Sequence, residues 1–101
     1  MKFARVYITE AEHDHGKNLY HEIFALLHQA HLVRGTTVFR GIAGFGSDGK
    51  VHHARDLLTL AADLPVVLEF FGDAAQVDDA VTAIAPHLLP GHIVTWTAQC
   101  L

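Results

Sequence analysis

The order of helix and strand patterns along this chain constrains its fold more than any other feature. Apolar residues recur at helical spacing in two stretches. The two faces are Leu19, Ile23, Leu26, Leu27 and Ala30, and Val77, Ala80, Val81, Ile84 and Leu88. Strand patterns occupy residues 2–9, 36–42, 64–71 and 93–98. The resulting order, βαββαβ, predicts an α+β, ferredoxin-like sandwich in which both helices cover one face of an antiparallel sheet.

Capping signals predict where the first helix begins and ends. Asn18 is the expected N-cap, because its side chain can accept a hydrogen bond from a free amide of the first turn. Gly35 is the expected residue just beyond the C-terminus, since glycine tolerates the left-handed backbone found there. The preceding segment, residues 10–16, is rich in His and acidic residues and predicts a loop.

The second helix is expected to start at Gly72-Asp73, where Asp73 and Gln76 have the spacing of a capping box. Pro86 either kinks this helix or begins a separate last turn. Residues 51–63 fit either a short helix or an extended segment.

One face of the predicted sheet has no helix to cover it. The side chains left on that face would be Phe3 and Tyr7 or Ala4, Val6 and Ile8, together with Phe39, Phe70 or Trp96. An exposed apolar area of this kind is typical of a subunit interface. We therefore expect a homo-oligomer.

Composition excludes several classes of protein. The 101 residues suit one domain, residues 1–101, and half of them are hydrophobic. A net charge of −4 with only seven Lys and Arg residues argues against a nucleic-acid-binding surface. No apolar run approaches the roughly 20 residues of a membrane span, so we expect no membrane insertion. Cys100 is the single cysteine and the N-terminus lacks a signal-peptide pattern, which together favour the cytoplasm.

A glycine-rich stretch, residues 40–50, is the first candidate site and holds four of the eight glycines. Such a stretch at a strand end lets backbone approach a ligand, and its amides can hold a phosphate. Gly41, Gly44 and Gly46 are therefore candidate ligand-binding residues. The alternative is a bulge followed by a hairpin loop.

Charged residues flank this stretch. Arg40, Lys50 and Arg55 are candidates for contacts with an anionic ligand, or form surface charges and intersubunit ion pairs. Glu69 is the one charge inside an apolar strand and should not lack a partner. It either holds a ligand hydroxyl or amine, or pairs with Arg40 across a subunit interface.

Histidine is unusually frequent, with nine residues. His52 and His53 are adjacent and would point to opposite faces of an extended chain, so we expect one of them, His53, to face the ligand. His13 and His15, with Asp14 between them, are the alternative candidates for a metal site. No Ser/His/Asp or Cys/His arrangement stands out, so we predict no catalytic residues and no enzyme activity.

Several of these motifs resemble one known family. Residues 35–46 (GTTVFRGIAGFG) resemble the strand-two signature of small PII-like proteins of unassigned function, domain-of-unknown-function family 190. His53-Ala54-Arg55 and residues 63–69 (DLPVVLE) match further segments of that family in the same order. The resemblance covers nearly the whole chain. Thr36 and Asn18 depart from it, at positions where Ala and Pro are common.

The resemblance implies a trimer related in fold to PII signalling proteins and to CutA, with small ligands in clefts between subunits. Adenine nucleotides are the common ligands in such trimers, and the loop after strand two, here residues 44–53, moves when they bind. The Gly46–Lys50 run is similar to the phosphate loop of true PII proteins but lies at a different place in the fold.

The expected function is therefore regulatory. The protein would bind an adenine nucleotide or a similar anionic metabolite and signal its presence to a transporter or enzyme. No cofactor is certain. The alternative is a CutA-like protein that binds divalent metal through its histidines.

Overall fold

The computed structural model describes residues 1–54 and 63–101. Its elements are β1 (Lys2–Thr9), β2 (His13–Asp14), β3 (Lys17–Asn18), α1 (Leu19–Gln29), β4 (Thr36–Arg40), β5 (Ala43–Phe45), β6 (Val51–His53), β7 (Pro65–Gly72), α2 (Ala74–Ile84) and β8 (Ile93–Thr97). The long strands form one antiparallel four-stranded sheet in the order β4-β7-β1-β8. This is the ferredoxin-like order, so the predicted α+β fold is confirmed.

The hydrophobic core lies between the sheet and the two helices. Its buried side chains are Ala4, Val6 and Ile8 of β1, Val66, Leu68 and Phe70 of β7, Leu19, Ile23 and Leu27 of α1, and Val77, Ala80 and Ile84 of α2. Alternate residues of β1 and β7 face the helices because side chains on a strand alternate between its two faces. Both helices therefore cover the same face, as predicted.

The opposite face of the sheet carries apolar side chains that no helix covers. In the register of the sheet, Phe3 lies opposite both Phe71 and Trp96, and its ring stacks on theirs with centroids 4.9 and 5.4 Å apart. Phe71, Trp96, Tyr7 and Phe39 are 38–49% exposed. We call this surface the open face. Phe70, one of the residues expected here, is instead fully buried in the core.

The first helix begins where the sequence predicts and ends earlier. The Asn18 side chain accepts a hydrogen bond from the His21 amide at 3.3 Å, which confirms the N-cap. The expected end near Gly35 is wrong, because α1 ends at Gln29. His31 adopts a left-handed backbone with φ 51°, and the amide of Leu32 donates to the carbonyl of Leu27 at 3.2 Å. That arrangement is a Schellman motif with His in the place usually held by Gly.

The second helix differs in its cap. Asp73 has the extended backbone of an N-cap, but its side chain makes no capping hydrogen bond, so the predicted capping box does not form. Pro86 lies in a separate 3-10 turn, Ala85–His87, which settles the alternatives in favour of a separate last turn.

The chain forms two short hairpins, β2–β3 and β5–β6, in segments where the sequence predicted loop or strand. Within residues 10–16, β2 begins a small hairpin with β3, and Gly16 takes a positive φ of 80° in the turn. Strand β4 stops at Arg40 rather than at Ile42, and β5 pairs with β6. In the described parts of the chain, neither helix is long and apolar enough to cross a membrane.

Candidate functional site

The chain leaves β4 by passing directly over Pro65, the first residue of β7. The Gly41 amide donates to the Pro65 carbonyl at 2.7 Å. A Cβ on Gly41 would overlap the proline ring, and a Cβ on Gly44 would lie 3.0 Å from Pro65 Cγ. A side chain at Gly41 would therefore force the proline ring or the backbone to move, whereas one at Gly44 would make only a tight contact. This packing requirement exists without any ligand.

The glycine-rich stretch then forms the β5–β6 hairpin. Its turn is closed by a hydrogen bond from the Gly49 amide to the Gly46 carbonyl at 3.0 Å, and Gly49 has a φ of 75°. Asp48 Oδ1 accepts from the Lys50 amide at 2.9 Å, which is a common side-chain contribution to turns. The expectation of a plain loop over residues 44–53 is therefore corrected: the segment is a hairpin, as in the bulge-and-hairpin alternative.

A cleft of about 550 Å³ lies between this hairpin and the end of β1. This volume is within the range of small-molecule sites, about 300–1,000 Å³. Tyr7 and Phe45 line it with aromatic surface, and both side chains are exposed, by 44% and 75%. Gly44, Gly46 and Lys50 also line it. The hairpin thus supplies one wall of a cleft large enough for a metabolite.

Among the described residues, three carboxylates line the cleft, and each accepts a hydrogen bond from a backbone amide. Glu12 Oε1 accepts from Thr9 at 3.1 Å, and Asp63 Oδ1 accepts from Ala11 at 2.8 Å. Asp48 accepts from Lys50 as described above. These carboxylates hold the loops that shape the cleft, and the Lys50 side chain brings a positive charge to its lining.

Two histidines in the lining have defined hydrogen-bond roles. His52 Nδ1 accepts from the Asp63 amide at 2.9 Å, so a neutral His52 carries its proton on Nε2. His92 Nδ1 lies 2.7 Å from the Tyr7 carbonyl and must donate to it. The two neutral rings therefore differ in tautomer. Nε2 of His52 carries the proton, whereas Nε2 of His92 does not and can accept a hydrogen bond.

Thr9 is the one described residue with a buried side-chain oxygen that lacks a hydrogen-bond partner. Thr9 also lines the cleft. A buried hydroxyl without a partner costs free energy, about 1–3 kcal/mol. Because this oxygen has almost no accessible surface, Thr9 contributes to the cleft wall through its other atoms.

The predicted site residues do not all meet in this cleft. Gly44, Gly46 and Lys50 line it, while Arg40, Gly41, His53 and Glu69 do not belong to the described lining. Arg40 Nε pairs with Glu10 at 2.5 Å. His53 lies opposite Ala43 in the hairpin, and its neighbour His52 faces the cleft instead. Arg55 lies outside the described residues.

Glu69 has a partner within its own chain. Its Oε2 lies 2.6 Å from Arg5 Nε, directly across the β1–β7 pair. The Arg5 guanidinium carbon is also 5.5 Å from the centroid of the Trp96 ring, a cation–π distance. Hydrogen bonding to Tyr7 and Glu69 raises the pKa of Arg5 above its already high ordinary value. The charged pair therefore lies on the open face.

His13 and His15, the alternative metal-binding residues, make contacts with different groups. His13 Nδ1 lies 2.5 Å from the carbonyl of Ala11, two residues before it. His15 is 93% exposed, with Nε2 3.4 Å from Asp14 Oδ1. Asp14 itself contacts a more distant histidine, His87, at 2.7 Å.

The cleft residues missed by sequence reasoning come from separate segments. Tyr7 and Thr9 end β1, His92 precedes β8, and Asp63 precedes β7. No spacing rule links them, because only the sheet order brings these segments together. The alternation of side chains along a strand predicts that His52 and His53 point to opposite faces. It does not say which of the two faces borders the cleft.

Comparison with known proteins gives a consistent result over the length of the chain. The profile of the DUF190 family, described as "Uncharacterized ACR", matches residues 1–100. The UPF0166 protein MJ1524 of Methanocaldococcus jannaschii is 26% identical over 87 residues, which are 86% of this chain and 74% of that protein. The sequence match is thus nearly complete, and it accords with the resemblance carried by residues 35–46. The chain belongs to the DUF190 family.

Proposed function

We propose that this protein is a PII-like regulatory protein that binds an adenine nucleotide, or a similar anionic metabolite, in the cleft beside the β5–β6 hairpin. The cleft of about 550 Å³ is the observation that carries the proposal. It combines apolar and aromatic surface with a few polar groups, which is the usual make-up of a small-molecule site.

Each part of such a ligand has a suitable group in the lining. Tyr7 and Phe45 offer rings on which a purine can stack. His92 can supply a hydrogen bond to a ring or sugar atom. Lys50 supplies the charge for a phosphate, and the backbone amides of the exposed turn residues 46–48 add donors.

The proposed assembly is a homotrimer in which further copies of the chain cover the open face. Tyr7 belongs both to that face and to the cleft, so a neighbouring subunit would lie beside the ligand. Ile42, just before the hairpin, is 80% exposed, and Phe45, within it, is 75% exposed. These side chains add apolar surface at the same edge. The site would then lie at a subunit boundary, where binding and assembly affect each other.

The hairpin is the proposed switch. Two backbone bonds tie its base, from Gly41 to Pro65 and from Ala54 to the Ile42 carbonyl at 2.7 Å. Its tip, residues 46–50, is exposed, and the hydrogen bonds seen there within the described parts of the chain are local: Gly49 to Gly46 and Lys50 to Asp48. A ligand held by Lys50 would fix the tip, and a transporter or enzyme in the cytoplasm would read that change.

Thermal unfolding with ATP, ADP, AMP, cyclic AMP and inorganic phosphate tests the proposal. A ligand at 100 times its Kd stabilises the folded state by about 2.7 kcal/mol. Lys50→Ala should remove most of the shift with a nucleotide. Arg34→Ala is the matched control, because Arg34 is exposed and lies outside the cleft lining. An absence of any shift with all five compounds would refute nucleotide binding, and a shift that survives Lys50→Ala would place it elsewhere.

A further inference from the structure

We propose that Asp14, Glu22 and His87 form a divalent metal site, with a preference for Zn²⁺-like ions over Mg²⁺. The one nitrogen and two carboxylate ligand atoms all lie within 4.8 Å of one another. They come from β2, the first turn of α1 and the 3-10 turn after α2. The folded chain thus assembles three ligands that the sequence keeps far apart.

The site is partly shielded from water. The side chains of Asp14, Glu22 and His87 are 20%, 27% and 34% exposed. His87 Nδ1 lies 2.7 Å from Asp14 Oδ2, so the imidazole is already directed at a carboxylate. Ligands fixed by strand pairing and by two helical elements need little rearrangement to hold an ion.

The charges favour a cation at this position. Two carboxylates at this separation repel each other, and the repulsion grows as water is excluded. Lys17 Nζ is 3.5 Å from Glu22 Oε1, but its side chain is 75% exposed and such pairs contribute little. A divalent ion would offset both negative charges and leave His87 neutral as a nitrogen ligand.

The donor set indicates the kind of metal. A histidine with two carboxylates suits zinc and neighbouring transition ions, whereas Mg²⁺ prefers oxygen ligands alone. Three protein ligands leave a position for water or for a fourth side chain. His15 Nε2 is 3.4 Å from Asp14 Oδ1, but this exposed ring lies outside the three-residue cluster and would have to rotate to fill that position.

This site differs from the one that the sequence indicated. Sequence reasoning pointed to the same loop, which contains Asp14 and His15. It could not find Glu22 or His87, because the approach of the turn after α2 to the β2–β3 hairpin is a tertiary contact. His13 plays no part, since its Nδ1 is bonded to the carbonyl of Ala11.

Zn²⁺ titration of the chelator-dialysed protein by isothermal calorimetry tests the proposal. We expect one ion bound per chain. His87→Gln and Glu22→Gln should each weaken binding by at least about tenfold, as losing even a supporting residue costs about 10–100-fold. His13→Gln is the matched control and should leave the affinity unchanged. Lys17→Ala should change the affinity little, because the Lys17–Glu22 pair is exposed to water.

Absence of Zn²⁺ binding, or binding that survives both His87→Gln and Glu22→Gln, would overturn the proposal. In that case Asp14 and His87 form only a structural hydrogen bond. If a variant fails to fold, imidazole NMR of the unmodified protein decides instead: Zn²⁺ must shift the His87 resonances and leave those of His28 in place. Nucleotide binding is measured separately, so either proposal can fail alone.

Discussion

The Gly41 amide donates to the Pro65 carbonyl at 2.7 Å, at a point where a Cβ on Gly41 would overlap the proline ring. This contact fixes where β4 ends and the β5–β6 hairpin begins. The hairpin in turn forms one wall of the cleft. The position of the candidate site therefore depends on a glycine–proline contact between neighbouring strands.

Gly41→Ala is expected to destabilise the protein, because the added methyl group overlaps Pro65 and backbone must move. Overpacking of this kind costs about 1–3 kcal/mol. The free energy of unfolding in urea measures the effect. Gly46→Ala is the control, because nothing lies within 4 Å of its Cβ position and its φ is not positive. Equal losses in both variants would show that the proline contact is not the cause.

The end of α1 provides a second test. His31 holds a left-handed backbone, φ 51°, which is unfavourable for a residue with a side chain. His31→Gly should therefore stabilise the protein, by up to about 1 kcal/mol, without altering the Schellman hydrogen bonds. His28→Gly, one turn earlier within the helix, should instead destabilise it by about 0.5–1 kcal/mol. Both values come from urea unfolding, and a destabilised His31→Gly variant would contradict the reasoning.

The same helix shows what the sequence could and could not predict. Apolar spacing identified its core face, and Asn18 identified its start, because both signals are local. Its end was placed at Gly35, since glycine is the ordinary signal for a left-handed residue. The structure uses His31, where the packing of Leu32 against the core offsets the backbone cost. A tertiary contact thus overrides a local preference.

The candidate site was predictable only where one segment supplies it. Gly44, Gly46 and Lys50 belong to one hairpin, and the sequence indicated them through the glycine pattern and the charges that flank it. Tyr7 and His92 come from the two ends of the chain and meet through the order of the strands. The sequence also could not show that a side chain is excluded at Gly41 but not at Gly46, because the group that excludes it, Pro65, lies on another strand.

Subunit association can be tested on the open face. Phe39→Asp or Trp96→Asp should reduce the mass in solution to that of one chain, because a charge would be buried without a partner in the interface. Phe24→Asp is the control: Phe24 is 41% exposed, close to Trp96 at 38%, but lies on α1. Size-exclusion chromatography with light scattering measures the mass. A monomeric unmodified protein would refute the trimer.

The Arg5–Glu69 pair tests whether that face is covered in the assembly. The hydrogen bonds that Arg5 donates to Tyr7 and Glu69 raise the pKa of Arg5, so its charge persists at every working pH. If another subunit covers the pair, Glu69→Gln leaves a desolvated guanidinium and should weaken association by more than about tenfold, whereas an exposed pair would matter little. Arg5→Met combined with Glu69→Gln should restore most of the association, because no unpaired charge remains. Dilution experiments followed by light scattering compare the variants. If the double variant associates as weakly as Glu69→Gln alone, the pair contacts the neighbouring subunit directly. The loss would then not come from an unpaired Arg5 charge.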